Sequence, residues 1–519
     1  MLHAQTWQWA EPGAGAADAA GQAIAVDAQG NSVVVGTYNS TIGFGGQLLS
    51  TPNEDGIFMA KFAPDGTLQW AHIVANGPGI AVHGITIDYG GAIAIVGMFQ
   101  GTVAFIPGTN GTILTSAGSF DVFVAKYEQD GTPVWAHSIG DTGYDYGASI
   151  THDGYYNIYV TGDLHLTPFN LSSSKVFVSK FAYNGTLFWT TLSQDYGVAH
   201  LGDGICAGDA AELCITGEFF NSITLGAFTL DAGSPEATIY VAKLNSDGVP
   251  IWAQKAGEGG YAFGQSVDMD AQGNAYVTGT YRGTIAMGGL TLPGPSDMSY
   301  DVFVAKCDSA DGTFQWATRG EGPGSDRAVG IRSDAEGNSY VNGTFGSSLT
   351  LGNVALQTNG GADAYVAKLS PSGDVLWAKG CGGPLSETVG GIALRGGDVF
   401  ITGGFQTSMQ FDPGPGLAGQ PAVRDVFVAK LADAFTGIEG PERPGCALYP
   451  VPAGDRLHLQ GLRAPCTYAV LDEKGRLALA SGTTDERGID VSTLAPGSYV
   501  LTLKPNDGSP VQRLKFVKD

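Results

Sequence analysis

The chain has few charged residues, and few of them are positive. Only 15% of its 519 residues are charged, and 26 Lys and Arg stand against 50 Asp and Glu, which gives a formal net charge of -24. Such a chain repels a phosphate backbone and offers no basic stripe that could release counterions from one. The composition therefore argues against nucleic acid as a partner.

Cysteine and long apolar runs are also scarce. The six cysteines are scattered through a long chain, so they cannot form the disulfide framework of a small secreted domain. Cys206 and Cys214 could face each other across one hairpin, and the alternative is that they are two small buried apolar side chains. No apolar run approaches the ~20 residues of a membrane-spanning helix, so no transmembrane segment is predicted.

Glycine, in contrast, is abundant. The chain holds 79 glycines in 519 residues, roughly double the usual ~7%. They follow no period of three, which excludes collagen. A turn-dense all-β chain is the better interpretation.

One sequence element recurs seven times. It reads "FVAK" or a close variant, and a second element of the form "GNAYVTG" precedes it each time. Each unit is predicted to contain four short antiparallel strands, called A, B, C and D, because each strand alternates with period two and is rich in β-branched or aromatic residues. Units of 54 to 65 residues repeated in line predict a seven-bladed β-propeller. The seven elements end at Lys61, Lys126, Lys180, Lys243, Lys306, Lys368 and Lys430.

The seventh unit is split between the two ends of the chain. Strand D carries a Trp in the first six units, but the seventh runs "DVFVAKLADAFTG" and then has no Trp. The missing strand is "TWQWA" at residues 6–10. Residues 5–10 are therefore predicted to form the outer strand of blade 7, pairing near residues 426–430 and closing the propeller, since an open end would expose an unpaired sheet edge.

Strand C carries an aromatic residue at one position in every unit. With the strand D Trp residues, these rings are predicted to form an apolar layer between blades rather than an aromatic ligand site. The positions are Phe58, Phe123, Phe177, Tyr240, Phe303, Tyr365 and Phe427.

The combination of "GNAYVTG", "DVFVAK" and "DGTxxWA" resembles the seven-bladed β-propeller (SBBP) repeat family of bacterial surface and secreted proteins, over about residues 5–431. The C-to-D hairpin also resembles quinoprotein propellers, a resemblance that implies a vicinal Cys pair and calcium carboxylates at a cofactor. No two cysteines are adjacent here, so no cofactor is predicted.

Composition changes after the propeller domain, residues 1–431. Residues 432–446 are rich in Pro and Gly and predict a linker. Residues 447–519 contain short alternating runs that suggest a small C-terminal β-sandwich. This tail closely resembles the type A C-terminal sorting domain of the type IX secretion system, and the alternative is an ordinary immunoglobulin-like module. The matching residues are Tyr449, Pro450, Pro452, Gly475, Arg476, Asp490, Leu494, Gly497, Tyr499 and Lys515.

The resemblance of the tail implies export. Its partners would be the type IX secretion machinery and a sortase-like peptidase, which removes the tail and often transfers the cargo to a lipopolysaccharide anchor. The expected location is extracellular or on the outer-membrane surface of a Gram-negative bacterium. The mature form is expected to end within about residues 431–450.

Recognisable catalytic motifs are missing from the chain. No nucleophile elbow or closely spaced His pair with a carboxylate is present, so no catalytic residue is predicted. The Asp of each A-to-B turn, such as Asp27, Asp270 or Asp334, could ligate calcium. One Asp with a Gly and an Asn more simply makes an Asx-type turn, so no metal is predicted.

Topology indicates where a ligand would bind. The A-to-B and C-to-D turns share one face, called the turn face, and the B-to-C and D-to-A segments share the other, called the connection face. The B-to-C segments are expected to be variable loops of roughly 12 to 23 residues, from 163–174 up to 98–120, and loops on a rigid frame often carry binding sites.

Exposed aromatic rings beside carboxylates are suited to binding sugars, although the rings could instead plug the mouth of the central channel. Three D-to-A connectors supply the predicted ligand-binding residues Tyr144, Asp145, Tyr146, Tyr196, Glu258, Tyr261 and Phe263.

These features predict a secreted or cell-surface propeller that acts as a non-catalytic binding or adhesion module. Its ligand would be a glycan or another surface protein. A polysaccharide hydrolase or lyase is one alternative, since paired carboxylates on a propeller face could do acid and base work. A purely structural surface spacer is the other.

Overall fold

In the computed structural model of the chain, every regular element among the described residues is a β-strand. The described strands are numbered β1 to β43 in chain order. The structure describes residues 5–105, 112–165, 174–194, 201–208, 211–233, 235–295, 297–433, 447–449, 456–460, 466–471, 477–483, 489–505 and 512–518.

Most strands belong to seven four-stranded units, whose strands A to D follow one another. Strand A is β2 (Ala19–Val26), β6 (Ala81–Ile87), β10 (Tyr146–His152), β14 (Gly204–Ala207), β20 (Tyr261–Met269), β26 (Arg327–Ser333) and β32 (Thr388–Arg395). Strand B is β3 (Ser32–Phe44), β7 (Ile93–Phe105), β11 (Ile158–His165), β15 (Leu213–Phe219), β21 (Ala275–Arg282), β27 (Ser339–Phe345) and β33 (Asp398–Phe405). Strand C is β4 (Gln47–Phe62), β8 (Thr112–Tyr127), β12 (Ser174–Phe181), β18 (Thr238–Leu244), β24 (Asp301–Cys307), β30 (Asp363–Leu369) and β36 (Asp425–Asp433).

Strand D completes each unit. In the first six units it is β5 (Leu68–Asn76), β9 (Pro133–Ile139), β13 (Leu187–Leu192), β19 (Pro250–Ala256), β25 (Phe314–Glu321) and β31 (Val375–Gly382). Within every unit A pairs with B, B with C and C with D, all antiparallel.

The seventh unit takes its strand D from the other end of the chain. Strand β1 (Gln5–Gly15) pairs antiparallel with β36, with Gln5 opposite Asp433 and Trp9 opposite Lys430. This is the pairing that the split repeat predicts. Trp7 and Trp9 are buried, and the Trp7 ring packs edge-on against Phe411, with 4.8 Å between ring centroids.

The strands A of successive units lie side by side. Strand β2 contacts β6, β6 contacts β10, and the series continues through β14, β20, β26 and β32, which in turn contacts β2.

The B-to-C segments differ from the prediction, because most are paired hairpins rather than loops. In units 1 and 2 strands B and C extend into the hairpin. In units 4 to 7 separate strands form it: β16 (Ser222–Leu225) with β17 (Phe228–Asp231), β22 (Ile285–Met287) with β23 (Leu290–Leu292), β28 (Ser348–Leu351) with β29 (Val354–Gln357), and β34 (Ser408–Phe411) with β35 (Gly416–Ala418). These hairpins hydrogen-bond to the preceding unit at or just after its strand D. A backbone bond that crosses between units leaves these segments little freedom to vary in conformation.

The glycine of "GNAYVTG" is needed where strand A comes very close to strand B. In six units strand A carries a β-bulge, which brings its backbone towards strand B. A Cβ on the strand B glycine would overlap a carbonyl oxygen of strand A in six units, and that of Leu201, just before strand A, in unit 4, so no larger residue fits. The glycines are Gly36, Gly97, Gly162, Gly217, Gly279, Gly343 and Gly403.

The strand C part of the predicted aromatic layer is confirmed. All seven strand C rings have no exposed surface, and they pack in apolar clusters with strands of adjacent units. Of the strand D Trp residues in the first six units, Trp252 and Trp377 are buried and the other four are half-buried. Core packing is therefore the role of the strand C rings, as the sequence predicts.

The C-terminal tail forms two small sheets. The first holds β37 (Ala447–Tyr449), β38 (Arg456–Gln460) and β41 (Ile489–Asp490), and the second holds β39 (Cys466–Leu471), β40 (Leu477–Thr483), β42 (Gly497–Pro505) and β43 (Gln512–Lys518). Leu457, Ile489 and Phe516 belong to one buried cluster shared by both sheets. The β-sandwich stays a prediction.

Candidate functional site

The D-to-A connectors and the B-to-C segments meet, as the topology predicts for a common connection face. The amide of Asp145 donates to the carbonyl of Phe120 at 2.7 Å, and the amide of Ser119 donates to the carbonyl of Gly143. In unit 5 the backbone of Glu258 bridges to Ala286. The predicted site residues divide into two clusters on this face, one around Tyr144 and one around Tyr261.

The first cluster is aromatic and lies between units 2 and 3. The half-buried Tyr144 ring packs against Phe120 at 5.0 Å, and its hydroxyl donates to the Met98 sulfur at 3.4 Å. Tyr146 stacks on His83 with 4.4 Å between ring centroids, and His83 Nδ1 bonds the carbonyl of Gly147 at 2.8 Å. Both tyrosines are thus packed against protein on at least one side.

Asp145 points inward, unlike its two neighbours. The side chain is fully buried and accepts the amides of Asp141 at 2.9 Å and His165 at 3.1 Å. Burial raises the pKa of Asp145 to about 6, and the nearby carboxylates of Asp141 and Asp121 add to the effect. Its oxygens are therefore used inside the protein, where they hold the connector in place.

Three further carboxyl groups lie near this cluster; those of Asp163 and Glu218 are buried and that of Asp203 is half-buried. Asp163 bonds His165 Nε2 at 2.6 Å, and Asp203 and Glu218 lie close enough to shift each other's pKa. Burial raises the pKa of all three carboxyl groups, with neighbouring carboxylates adding to the effect for Asp203 and Glu218. Sequence reasoning missed this group, because Asp203 and Glu218 are brought together only by strand pairing.

The second cluster is a row of three side chains across unit 5. Tyr261 lies opposite Arg282 on the neighbouring strand, and Tyr300 comes just before strand C. The Arg282 guanidinium lies over the Tyr261 ring at 4.7 Å and over the Tyr300 ring at 5.3 Å. The Phe263 ring extends the row, 6.0 Å from Tyr300. All four side chains are partly exposed.

Arg282 and Tyr300 were missed from the sequence. They lie in the B-to-C part of the unit, whereas all the predicted ligand-binding residues lie in or next to D-to-A connectors. The signal available was strand register, which places the last residue of "YVTGTYR" opposite Tyr261. A partly exposed cation between aromatic rings can bind an anion or a hydroxyl-rich ligand, since the rings offer flat apolar surface beside a bidentate donor.

Two other predicted residues belong to neither cluster. Glu258 is exposed and forms an ion pair with Lys255 at 2.5 Å. Tyr196 lies outside the described residues. Whether any predicted residue binds a ligand stays a prediction.

The Asp residues of the A-to-B turns are engaged within their turns. Asp27 Oδ1 accepts the amides of Gln29 and Asn31, both at 2.9 Å, and Lys61 lies 2.9 Å from Asp27 Oδ2. This is Asx-type turn geometry, with a lysine as the cation. Among the described residues, no group of three or more His, Cys, Asp or Glu side chains is placed to hold a metal ion.

The predicted facing of two cysteines is also seen. Cys206 lies opposite Cys214 in the hairpin of unit 4, and both are buried free thiols.

The tail residues that match the sorting domain are partly described. The ring of Tyr499 stacks on Phe516 at 5.6 Å, and its hydroxyl donates to the carbonyl of Ala495 at 2.8 Å. Asp490 accepts the amide of Ser492, and Leu494 is buried. Tyr449 lies in β37, Gly497 begins β42 and Lys515 lies in β43, whereas Pro450, Pro452, Gly475 and Arg476 lie outside the described residues.

Comparison with protein families identifies the tail. Residues 447–518 match the family described as the secretion system C-terminal sorting domain. The tail is therefore a sorting domain, which confirms the prediction and indicates export to the cell surface or the extracellular space. In the part of the chain that the structure describes, no helix is long and apolar enough to cross a membrane.

The chain also has more distant relatives. It is 24% identical over 407 residues to an uncharacterized WD repeat-containing protein of Acanthamoeba polyphaga mimivirus, which covers 62% of this chain and 29% of that protein. The chain spans less than a third of the length of the curated relatives it matches.

Among solved structures, the chain is similar to a family PL25 polysaccharide lyase, an ulvan lyase, with a TM-score of 0.43 and 11% identity over 76% of this chain and 93% of that one. It is also similar to the quinohemoprotein alcohol dehydrogenase of Comamonas testosteroni, with a TM-score of 0.41 and 10% identity over 87% of this chain and 79% of that one.

Proposed function

We propose that residues 1–431 form a seven-bladed β-propeller closed by its N-terminal strand, followed by a linker at 432–446 and the tail at 447–519. Two observations support closure. Strand β1 pairs with β36, and β32 contacts β2 at the other end of the series of inner strands. Seven units whose inner strands lie side by side, first against last, are expected to form a closed propeller.

The exported protein is displayed on the outer-membrane surface of a Gram-negative bacterium or released from it. The type IX machinery transports it, and a sortase-like peptidase removes the tail. Intact-mass analysis of the secreted protein tests this step. The expected C-terminus lies within about residues 431–450, and full-length protein confined to the cytoplasm would contradict the proposal.

The displayed propeller binds a glycan on its connection face and has no catalytic role. The observation that carries this is the partly exposed row of Tyr261, Arg282 and Tyr300. Tyrosine rings stack on the apolar face of a sugar, and a guanidinium donates several hydrogen bonds in one plane to hydroxyl or acidic groups. A second surface protein is the other ligand class that such a row would accept.

A glycan array with the secreted protein tests the binding role. On any bound glycan, Tyr261→Ala and Arg282→Gln should each weaken binding by about tenfold or more, because each removes one side of the row. Tyr144→Ala tests whether the first cluster contributes. Phe188→Ala is the matched control, since Phe188 is an exposed ring on the outer strand of unit 3.

Different outcomes separate the alternatives. If binding survives both unit 5 changes, the rings only plug the channel mouth and the ligand lies elsewhere. If no saturable partner appears, the spacer role replaces the binding role. Cleavage of a polysaccharide would favour a hydrolase or lyase, for which Asp203 and Glu218 are the paired carboxyl groups that the structure brings together.

A further inference from the structure

A cavity of about 260 Å³ lies near the turn face, at the end of the inner strands away from the proposed glycan site. All seven strands A contribute to its wall. Much of the wall is aliphatic, with Ile24, Ile85, Ile150 and Ile205 among the lining residues. At roughly 30 Å³ per water molecule, the volume corresponds to about nine waters, which suits a ligand of a few heavy atoms.

Opposite charges face this cavity from adjacent units. Asp268 of unit 5 and Arg332 of unit 6 occupy equivalent positions, next to the end of their strands A. The other units carry Ala, Thr or Cys there, so these two introduce charge where the repeat has none. Among the ion pairs of the described residues, none joins Asp268 to Arg332 within 4.0 Å.

Neighbouring groups hold both charges in place. Asp268 Oδ2 accepts the Ser333 amide at 2.6 Å and the Ser333 hydroxyl at 2.9 Å, while Arg332 Nη1 donates to the carbonyl of Ile331 at 2.7 Å. Burial raises the pKa of Asp268, and the nearby Arg332 opposes that rise. The carboxylate is therefore fixed before a ligand arrives, and the guanidinium keeps further donors for one.

The opposite wall is polar. Thr86 and Thr151 carry hydroxyls, and His152 Nδ1 lies 2.7 Å from the Thr86 hydroxyl oxygen. A ligand held by the charged wall would thus meet aliphatic and hydroxyl groups with its remaining atoms.

We propose that this cavity binds a small zwitterion of the α-amino acid class. Its carboxylate pairs with the Arg332 guanidinium, which matches the two carboxylate oxygens in bidentate fashion. Its ammonium group pairs with Asp268, whose carboxylate accepts charge-assisted hydrogen bonds. Two opposite charges that share a cavity but no ion pair are best satisfied by a ligand that carries both.

The cavity site is independent of the glycan site, because the two lie at opposite ends of the inner strands. The test uses the full chain, with calorimetry and thermal shift for three probes. Alanine carries both charges, N-acetylalanine carries only the carboxylate, and alanine amide carries only the ammonium group. Alanine is expected to bind most tightly.

Two variants assign the charges. Arg332→Gln should weaken the binding of alanine and of N-acetylalanine by about tenfold or more. Asp268→Asn should weaken alanine by a similar factor and leave N-acetylalanine unchanged, because that probe has no ammonium group. Arg395→Gln is the control, since Arg395 is exposed on β32 and does not line the cavity.

Folding of each variant is checked by its melting curve. Should Arg332→Gln fail to fold, Arg332→Lys keeps the positive charge without the bidentate fork and should weaken alanine by a smaller factor. The proposal is overturned if alanine shows no binding up to about 10 mM. It is also overturned if alanine binds equally well to the wild type and to the folded Arg332 and Asp268 variants.

Discussion

The two faces of the units differ in how much their chemistry repeats. On the turn face, six of the seven "FVAK" lysines form an ion pair with an acid at the A-to-B turn of their own unit. In four of the units the strand D Trp donates to a backbone carbonyl in the C-to-D turn of the next unit, at 2.9 to 3.2 Å. These Trp residues are Trp9, Trp135, Trp252 and Trp316.

The connection face repeats a carboxyl group but differs in the side chains around it. The Asp that begins "DVFVAK", or "DAYVAK" in unit 6, is buried in units 2, 5, 6 and 7, as Asp121, Asp301, Asp363 and Asp425, whereas a row of rings around a guanidinium is seen in unit 5. Contacts that join one unit to the next therefore recur at both ends, through strand D Trp residues on the turn face and through B-to-C hairpins on the connection face. The side chains that project from the connection face differ between units, and a specific ligand site is expected where they do.

Removing the strand that completes the seventh unit should have the largest effect on the thermal stability of the seven units. Deletion of residues 1–12 leaves β36 with an unpaired edge and removes two buried Trp side chains, each worth about 3–5 kcal/mol. We expect the melting temperature to fall by about 10 °C or more, measured by calorimetry on the purified chain.

The matched control for this deletion is Gln8→Ala. Gln8 lies in the same strand but is exposed, so its replacement should change the melting temperature by about 1 °C at most. An unchanged melt after the deletion would remove the argument that β1 closes the propeller.

The four strands of each unit could be predicted from the sequence because their sequence motifs repeat. Seven copies can be aligned with one another, so the four strands, the buried rings and the missing seventh strand D all emerge from spacing. The B-to-C hairpins were not predicted, because separate strands such as Ser222–Leu225 are only three or four residues long. The signal was present, since "TIGFGGQLL", "SITLGAFTL", "TIAMGGLTL" and "SLTLGNVAL" recur at this place in four units.

The connection face was harder to predict for a related reason. Arg282 meets Tyr261 through strand register, and Glu218 meets Asp203 in the same way. The spacing of residues within a connector does not reveal either contact. The inward direction of Asp145, between two outward-packed tyrosines, likewise depends on backbone donors from Asp141 and His165.

A buried ion pair on the turn face should contribute more to the free energy of unfolding than an exposed ion pair on the connection face. Lys61 and Asp27 are both buried, so Lys61→Met leaves an uncompensated carboxylate and should lower the free energy of unfolding by about 3 kcal/mol. Lys255→Met removes an exposed pair with Glu258 and should cost about 1 kcal/mol at most. Urea denaturation measures both, and equal losses would contradict the difference between the two ends.

The smallest expected effect is a dependence of the melting temperature on pH. The sign of this dependence should differ between a buried carboxyl group of the turn face and one of the connection face. On the turn face, burial alone would raise the pKa of Asp27, but hydrogen bonds from Asn31 and Lys61 hold it below the usual 3.8. The stabilisation from ionised Asp27 is therefore present above about pH 4 and is lost as the pH falls through the folded-state pKa. Asp27→Asn should lower the melting temperature at pH 7, with a penalty that shrinks in acid.

Asp326, on a connector of the other face, should behave in the opposite way. Its side chain is fully buried, and among the described residues only the Gly346 amide is placed to donate to it. Burial raises its pKa from 3.8 to about 7. The protonated form is favoured by folding, so this stabilisation is complete below about pH 4 and is lost as the pH rises towards 7. Asp326→Asn keeps a neutral side chain at every pH, so it should raise the melting temperature by about 1–2 °C at pH 8.5 and give no gain at pH 4. Melting curves of both variants are measured from about pH 3 to 8.5, so that they include the range in which Asp27 becomes protonated. Effects of the same sign at pH 8.5 would show that the two faces do not treat a buried carboxylate differently.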